Sequence, residues 1–312
     1  MLNTRWIMTE SQQSSLFNVL KSVSVWKRGG QRAPHKPLLL LMAIAAVQRG
    51  EPRLRRYDDI EGELKLLLSD FGPKRKVGHP EYPFWRLRSD GAFWDIPESD
   101  QAIAESPNFS KSGNIPAGAL RKVNARGGFS QSVFELIGAK SEFASKIISE
   151  ILAEHFPTSV HDDLLDAVGM MWQPLVMARR PRTLQFREDL IRLYEHRCAV
   201  CGFDGRLGLN DLALEAAHIH WHSHGGPDDP ENGILLCALH HKALDRGAIG
   251  LTEARTISVS QDLHGGAQVH NTMTRFCGEP LRAPQNPALV PARKFIGWHR
   301  NQVFRDPPRV EF

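Results

Sequence analysis

Two pairs of metal-ligating side chains lie in the C-terminal half of this 312-residue chain. Cys198 and Cys201 are two residues apart and are followed by glycine, the spacing of a knuckle that turns both thiolates toward one metal ion. Cys237 and His240 repeat that spacing. Cysteines that are buried only for packing have no reason to repeat it, whereas four such ligands suit tetrahedral zinc. We therefore predict a structural Zn²⁺ site at these four residues and assign the remaining cysteine, Cys277, to the core.

Polar side chains suited to hydrolysis lie around the second ligand pair. His218 ends a strand-like apolar run that includes Leu212, and Asn232 precedes a short apolar strand at 234–236. His241 follows His240 directly, so on a helix it points away from the zinc ligands. A histidine pKa lies near working pH, which suits a general base. The loop after His218 holds three more histidines, which we interpret as solvated: His220, His222 and His224.

This arrangement resembles the HNH nuclease family, whose fold is a ββα-metal unit. The resemblance implies that His218 is the general base, that Asn232 holds the loop that positions it, and that His241 binds a catalytic divalent ion, Mg²⁺ or Mn²⁺. Asp245 lies four residues after His241 on the same helix face, so it is expected to be a second ligand or the group that orients His241. Many family members have an acid or histidine just before the first histidine, where this chain has Ala217.

The N-terminal half contains an anion-binding pattern in front of an apolar helix. A basic loop that includes Arg32 leads to His35 and Lys36, and a helix is predicted over 38–48 with Pro37 at its first position. His35 and Lys36 would then lie at the positive end of the helix dipole, beside unpaired backbone N–H groups. A solvated basic loop in front of a helix is the alternative interpretation.

Basic and aromatic residues alternate further along the same half. After a helix predicted over 60–71, the loop 74–76 contains three cations, and a hairpin is predicted in which Tyr82 and Pro83 lie in the segment that pairs with a strand at 93–96. Cations meet phosphate and rings meet bases or sugars, so the mixture favours nucleic acid, although aromatic residues inside a hairpin are also ordinary core.

The segments 32–41 and 82–87 are similar to the sulfur-binding domain of McrA-like, modification-dependent restriction endonucleases, which bind DNA with a phosphorothioate in its backbone. An HNH domain at the C-terminus is their usual companion, and the HNH resemblance covers about residues 184 to 265. By this resemblance Tyr82 and Pro83 would form an apolar wall for sulfur, while His35 and Lys36 would supply charge and hydrogen bonds. Flanking phosphates or base edges would be held by Arg32, Lys74 and Arg75.

These patterns predict an α+β protein with two domains. A mixed helix and hairpin DNA-binding domain is expected at 1–165, a helical connector and basic linker at 166–183, and the ββα-metal HNH domain with its zinc knuckle at 184–312. Other predicted elements are helices at 15–23, 141–155, 164–171 and 184–196 and a strand at 257–259. In the C-terminal tail, Phe295, Ile296, Trp298 and Phe304 are expected to pack inward.

Composition agrees with a nucleic-acid partner without proving one. The net charge is +4 and the isoelectric point about 8.9, and 41% of the residues are hydrophobic, an ordinary fraction for a globular protein. The N-terminus lacks the apolar segment of a signal peptide, and the apolar run 38–47 is too short to span a bilayer. Cysteines in a metal pattern favour a reducing compartment, so we expect a cytoplasmic protein with no membrane association.

We thus expect a modification-dependent restriction endonuclease that binds phosphorothioated double-stranded DNA and hydrolyses phosphodiester bonds nearby. Two alternatives stay open. The HNH domain could be directed to another DNA mark, such as a modified cytosine, or the chain could be a non-catalytic, zinc-containing DNA-binding protein. A homodimer is common among restriction enzymes, because two strands need two cuts, and is also left open.

Overall fold

The computed structural model describes residues 8–21, 23, 34–73, 79–107, 109–170 and 184–309, which form two compact units. The first unit contains the described residues up to 155 together with 162–170, and the second contains Phe156–His161 and 184–309. Helices and short strands mix in both, in agreement with the predicted α+β class. Within these ranges every helix is too short or too polar to cross a membrane.

Helices make up most of the first unit. In chain order they are α1 (Glu10–Lys21), α2 (His35–Gln48), α3 (Tyr57–Phe71), α4 (Glu81–Asp90), α5 (Ser99–Ala104), α6 (Phe109–Ser112), α7 (Ala117–Lys122), α8 (Gln131–Ala139), α9 (Ser141–His155) and α10 (His161–Ala167), whose first residue groups with the second unit. The central one is α2, whose apolar side chains are buried on every face and pack against α3, α4, α8 and α9. This confirms α2 as the core of its unit.

A small antiparallel sheet lies beside α2. Its strands are β1 (Arg55–Arg56), β2 (Trp94–Asp95) and β3 (Arg126–Phe129), with β3 in the middle. Trp94 pairs with Phe129, and the rings of Phe84 and Trp94 meet edge to face with centroids 6.4 Å apart. A side chain at Gly127 would lie 2.5 Å from the Phe84 ring, so glycine is required where β3 passes α4.

The predicted hairpin around Tyr82 is wrong. Residues Glu81–Asp90 form helix α4, and β2 pairs with β3 rather than with this segment. Phe84 and Leu87 lie three residues apart and are fully buried, which is a helical period. Pro83 falls in the first turn, where no backbone N–H is needed for an intrahelical bond, so it does not break the helix.

The second unit is built on a ββα motif. Strand β6 (Leu214–His218) pairs antiparallel with β7 (Gly233–Cys237), and α12 (Ala238–Asp245) follows directly. The register pairs Leu214 with Cys237 and His218 with Gly233, so the zinc ligand and the candidate base lie at opposite ends of the hairpin. Leu212, predicted on this strand, lies outside it and is exposed. Helix α11 (Leu184–Leu193) packs on both strands.

Short elements complete the second unit. They are β4 (Arg206–Leu207), β5 (Asn210–Asp211), β8 (Ile249–Leu251), β9 (Ile257–Val259), α13 (Ala267–Thr272) and α14 (Arg293–Gln302). The predicted strand at 257–259 and helix at 141–155 are confirmed. In the tail, Phe295, Ile296 and Phe304 are buried as expected, and Trp298 is half-buried.

Several predicted helix ends were displaced. Helix α11 stops at Leu193 because Glu195 and His196 adopt positive φ angles of 53° and 58°, which end a right-handed helix. The helix predicted at 164–171 begins at His161, where acidic residues in its first turn suit the helix dipole, and ends at Ala167. The one predicted at 15–23 spans Glu10–Lys21.

Candidate nuclease site and metal centre

The four predicted zinc ligands come together in the second unit. One ligand atom from each of Cys198, Cys201, Cys237 and His240 lies within 4.8 Å of all the others, and these residues could hold a metal ion. The first pair is on a turn closed by a hydrogen bond from the Gly202 N–H to the Cys198 carbonyl oxygen, at 2.9 Å. The second pair spans the junction of β7 and α12. Local turns thus bring each pair together, and the hairpin register brings the pairs to each other.

The imidazole of His240 is oriented as a metal ligand. Its Nδ1 atom lies 3.1 Å from the Cys237 sulfur and 3.6 Å from the Cys198 sulfur, while Nε2 donates to the Thr272 carbonyl oxygen at 2.9 Å. A carbonyl on the far nitrogen fixes the tautomer that turns the Nδ1 lone pair toward the sulfurs. Hydrogen bonds to the other two cysteines raise the pKa of Cys237, so the cluster without a cation disfavours three thiolates. A divalent cation at the centre would remove that penalty.

The candidate base, His218, is held from two sides. Its ring stacks on Phe186 with centroids 4.2 Å apart, and its Nε2 atom is 2.8 Å from the Asp228 carboxylate. A carboxylate acceptor at this distance places the proton on Nε2 and fixes the tautomer of the ring. Asp228 was not among the predicted site residues. Its position in the Gly-Gly-Pro-Asp-Asp loop, ten residues after His218, gave no periodic signal.

Asn232 clamps the loop that leads from His218 to Asp228. It is fully buried, and its Oδ1 atom accepts from the His220 N–H at 2.8 Å. Its Nδ2 group donates to the carbonyl oxygens of His220 and Pro227, at 3.0 and 2.9 Å. One amide side chain therefore fixes both ends of the loop.

His241 lies between two carboxylates. Its Nδ1 atom is 2.6 Å from Glu215 and its Nε2 atom 3.1 Å from Asp245, which also accepts a short hydrogen bond from Ser159. Burial lowers the pKa of His241, but the attraction of Asp245 and the hydrogen bonds to Asp245 and Glu215 outweigh burial and raise the pKa to about 9. The same attraction lowers the pKa of Asp245 although the carboxylate is buried. The geometry concentrates negative charge around this ring.

The prediction that all three loop histidines are solvated is wrong for His220. His220 stacks on Trp298 with centroids 4.1 Å apart, and its Nε2 atom lies 3.0 Å from the His224 carbonyl oxygen. Burial lowers the pKa of His220, so it packs as a neutral ring. His222 is exposed and lies 5.7 Å from His218, centroid to centroid, on the solvent side of the base. In the sequence, the residue that indicates this packing of His220 is Trp298. It lies 78 positions away, so only the packing of the C-terminal tail brings it close to His220.

In the first unit the predicted sulfur-site residues are separated along α4. The Lys36 ammonium is 2.6 Å from Asp90, and both side chains are largely buried. Asp90 ends α4, whereas Tyr82 and Pro83 lie in its first turn, about 12 Å along the helix axis from Asp90. The structure therefore directs the charge of Lys36 to Asp90. His35 is half-buried at the start of α2.

The exposed face of α4 presents a ring and a guanidinium to solvent. Tyr82 is 40% exposed and stacks on His79 with centroids 4.7 Å apart. Four residues later on the same face, Arg86 is exposed and donates through two nitrogens to Asn114, at 2.9 and 2.7 Å. Arg86 was not among the predicted site residues, because a strand was expected in this segment. Three predicted contacts lie outside the described residues: Arg32, Lys74 and Arg75.

Comparison with known families covers both units. The profile described as ScoMcrA-like, DNA sulfur-binding domain matches residues 13–173, more than half of the chain, and the profile described as HNH endonuclease matches residues 198–252. Among curated proteins there is no match.

Solved structures show weaker similarity. A sulfur-binding domain of ScoMcrA complexed with phosphorothioated DNA is 22% identical with a TM-score of 0.43, over 49% of this chain and 94% of that one. The corresponding domain of SprMcrA with phosphorothioated DNA is 19% identical with a TM-score of 0.42, over 52% of this chain and 98% of that one. The type IV phosphorothioation-dependent restriction endonuclease ScoMcrA is 21% identical with a TM-score of 0.41, and only 35% of its chain is covered, against 51% of this one. On the strength of the family profile, this chain belongs to the ScoMcrA-like DNA sulfur-binding domain family, and it carries an HNH endonuclease domain in its second unit.

Proposed function

We propose that this protein binds phosphorothioated double-stranded DNA through its first unit and hydrolyses phosphodiester bonds with the site around His218 and His241. One observation carries the proposal. Within a chain that belongs to a DNA sulfur-binding family, the HNH unit holds His218 against a carboxylate and His241 between two, which are the arrangements of a base and of a cation site.

The proposed chemistry begins at His218. Its Nδ1 atom takes the proton of the attacking water, and the Asp228 carboxylate stabilises the imidazolium that results. Asn232 keeps the loop in place, so the ring and the carboxylate stay aligned. A divalent cation, Mg²⁺ or Mn²⁺, held at His241 with Asp245 behind or beside it, stabilises negative charge on the phosphate and on the leaving oxygen when it is bound.

The proposed structural ion is zinc at Cys198, Cys201, Cys237 and His240. Three sulfurs and an imidazole in two close pairs leave no open coordination position for substrate, which is the mark of a structural site. Its role would be to fix the junction of β7 and α12, the segment that places His241. Thiolate ligands persist in a reducing compartment, so the proposal includes a cytoplasmic location, where the DNA substrate also lies.

Recognition of the mark is proposed to rest on apolar contact. Exchange of a non-bridging oxygen for sulfur leaves the charge unchanged, so backbone electrostatics cannot discriminate between the two. Sulfur is larger and less hydrated, and an apolar wall therefore favours it. Tyr82, with its ring partly exposed at the start of α4, and its buried neighbour Pro83 would supply that wall, and His35 would supply a hydrogen bond to the anion. The cations Arg32, Lys74 and Arg75, together with Lys36, which is paired with Asp90, complete the proposed DNA-binding set.

A homodimer is part of the proposal for double-strand cleavage. One HNH site cuts one strand, so two copies on one duplex would be needed for cuts in both. Sedimentation of the protein with and without a marked duplex tests this, and a monomer at the concentrations that give double-strand breaks would contradict it.

Binding and cleavage of matched duplexes test the function. Two oligonucleotide duplexes of one sequence, with and without a single phosphorothioate, are compared with the wild-type chain and with His218→Ala. We expect preferential binding and cleavage of the marked duplex, and we expect His218→Ala to lose cleavage while it keeps binding. Equal cleavage of both duplexes would show that cleavage does not depend on the phosphorothioate, and binding without cleavage by the wild type in Mg²⁺ or Mn²⁺ would make the chain a binding protein.

A further inference from the structure

The surroundings of His241 are not symmetric. On the Nε2 side, the Asp245 side chain is 2% exposed and is also bonded to Ser159. On the Nδ1 side, the Glu215 side chain is 43% exposed, so its carboxylate reaches solvent. The Nδ1 side is therefore the side of this buried ring that borders a carboxylate in contact with solvent.

Hydrogen bonding assigns the two ring nitrogens different tasks. Asp245 is an acceptor, and with a second hydrogen bond from the Ser159 hydroxyl it is held in place. The Nε2–H of His241 therefore donates to Asp245, and without a cation the Nδ1–H donates to Glu215. A cation bound beside Glu215 would displace the Nδ1 proton and accept the Nδ1 lone pair. A carboxylate behind one imidazole nitrogen and a metal on the other is the recurrent arrangement of histidine ligands.

Strand geometry explains why Glu215 occupies this position. Residues 215 and 217 are two apart on β6, so they share one face of the hairpin. Ala217 offers no ligand atom. The longer side chain of Glu215, two residues earlier on the strand, reaches His241, and its carboxylate oxygen lies 2.6 Å from Nδ1. Once a cation has displaced the Nδ1 proton, Glu215 and Asp245 beside neutral His241 carry two negative charges, the number that a divalent cation balances.

The geometry points to Glu215 and the Nδ1 atom of His241 as the protein ligands of the catalytic divalent cation, with Asp245 as the positioning residue behind His241 rather than a ligand. This inference rests on the proposed nuclease function and deepens it. Two protein ligands leave several positions to water and to phosphate oxygens, as suits Mg²⁺ or Mn²⁺ in a nuclease. Glu215 would then supply the acidic ligand that many HNH nucleases have at the position occupied here by Ala217.

Binding of Mn²⁺ to the zinc-loaded full chain tests the inference without reference to activity. Titrations are followed by the electron paramagnetic resonance signal of free Mn²⁺ and by calorimetry, for the wild type, Glu215→Gln, Asp245→Asn and the charge-matched control Glu253→Gln, an exposed residue of the same unit. Zinc content and far-ultraviolet circular dichroism verify folding. Glu215 is partly exposed, so its replacement leaves the packing intact.

We expect the wild type and Glu253→Gln to bind one Mn²⁺ per chain with equal Kd. Asp245→Asn should weaken binding about 10–100-fold, the range for groups behind a ligand, and Glu215→Gln should weaken it more than that. Mn²⁺ binding by Glu215→Gln equal to that of Glu253→Gln would overturn the assignment, as would a greater loss in Asp245→Asn than in Glu215→Gln. In either case a wild type that still binds Mn²⁺ and cuts DNA would leave the nuclease proposal standing. A wild type that binds no Mn²⁺ and cuts no DNA would remove both.

Discussion

Asn232→Ala should loosen the active-site loop before it affects anything else. The side chain is completely buried and satisfies the N–H and carbonyl groups of His220 and the carbonyl of Pro227, with distances from 2.8 to 3.0 Å. Removal of the amide leaves these three backbone groups without this partner. A buried polar group left unsatisfied costs about 1–3 kcal/mol, so the three together cost about 3 kcal/mol even at the low end.

That free energy can be measured as local opening. Because 1.4 kcal/mol is a factor of ten in an equilibrium constant, about 3 kcal/mol should raise the opening equilibrium of the loop 219–227 by about two orders of magnitude. Amide hydrogen exchange read by mass spectrometry reports this directly, with the His220 N–H as the most affected group. Asn271→Ala, an exposed residue on α13, is the control. Cleavage should fall together with protection, because the loop connects His218 to Asp228.

One outcome would refute this reasoning. If Asn232→Ala abolishes cleavage while exchange in 219–227 stays at the wild-type level, the amide acts on substrate or cation rather than on the loop. If Asn232 acts only by holding the loop, its loss cannot abolish cleavage without also increasing hydrogen exchange in the loop.

Three further predictions follow from the two units. Purified protein should contain about one zinc per chain, and Cys201→Ser should lose the ion and the cooperative unfolding of the second unit; folded protein without zinc would contradict the site. Tyr82→Ala should reduce the preference for phosphorothioated over plain duplex by about 1–3 kcal/mol, as measured by paired binding isotherms, while equal losses on both duplexes would remove its discriminating role. Burial raises the pKa of Glu61, but hydrogen bonds from Arg121 and Lys65 outweigh burial and lower it. The ion pair therefore stabilises the fold fully above the unfolded pKa of about 4.3 and is lost as pH falls through the lowered folded value. Glu61→Gln should cost about 1 kcal/mol at pH 7 in denaturant unfolding and nothing in strong acid, and a difference that persists there would contradict the pairing.

Local patterns predicted the elements whose periods are unambiguous. The amphipathic helix α9 follows from its residue periodicity, whereas helix α2, which is apolar on every face, was predicted from its apolar run and from Pro37 near its start. Strand β9 was also predicted. Helix α4 was missed because its aromatic residues favour strands. The position of Pro83 explains why the segment is nevertheless a helix, because a proline in the first helical turn costs no hydrogen bond.

Metal ligands in close pairs are predictable because the chain itself brings each pair together. Partners that depend on tertiary register are not. The ion pair of Lys36 with Asp90 joins residues 54 apart, and the contact of Glu215 with His241 joins residues 26 apart. Strand parity offered one usable signal, because Glu215 must share the face of Ala217, the position at which a ligand was expected. Whether the side chain at 215 or the one at 217 contacts His241 depends on how α12 packs against β6, which the sequence does not reveal.

The two histidines of the proposed catalytic site are held by the same kind of contact. His218 and His241 each have one ring nitrogen next to an acid, Asp228 in the first case and Asp245 in the second. Such an acid fixes the tautomer and ring angle, so the other nitrogen is committed to one task, a proton for His218 and a cation for His241. The difference in task comes from the second neighbour. A flat phenyl ring of Phe186 lies against His218 and offers no charge, whereas Glu215 supplies a second carboxylate to His241. A carboxylate beside His218 would stabilise an imidazolium that forms during reaction, and two carboxylates around His241 would suit a divalent ion. The contacts described for each ring therefore support the two different roles that we propose.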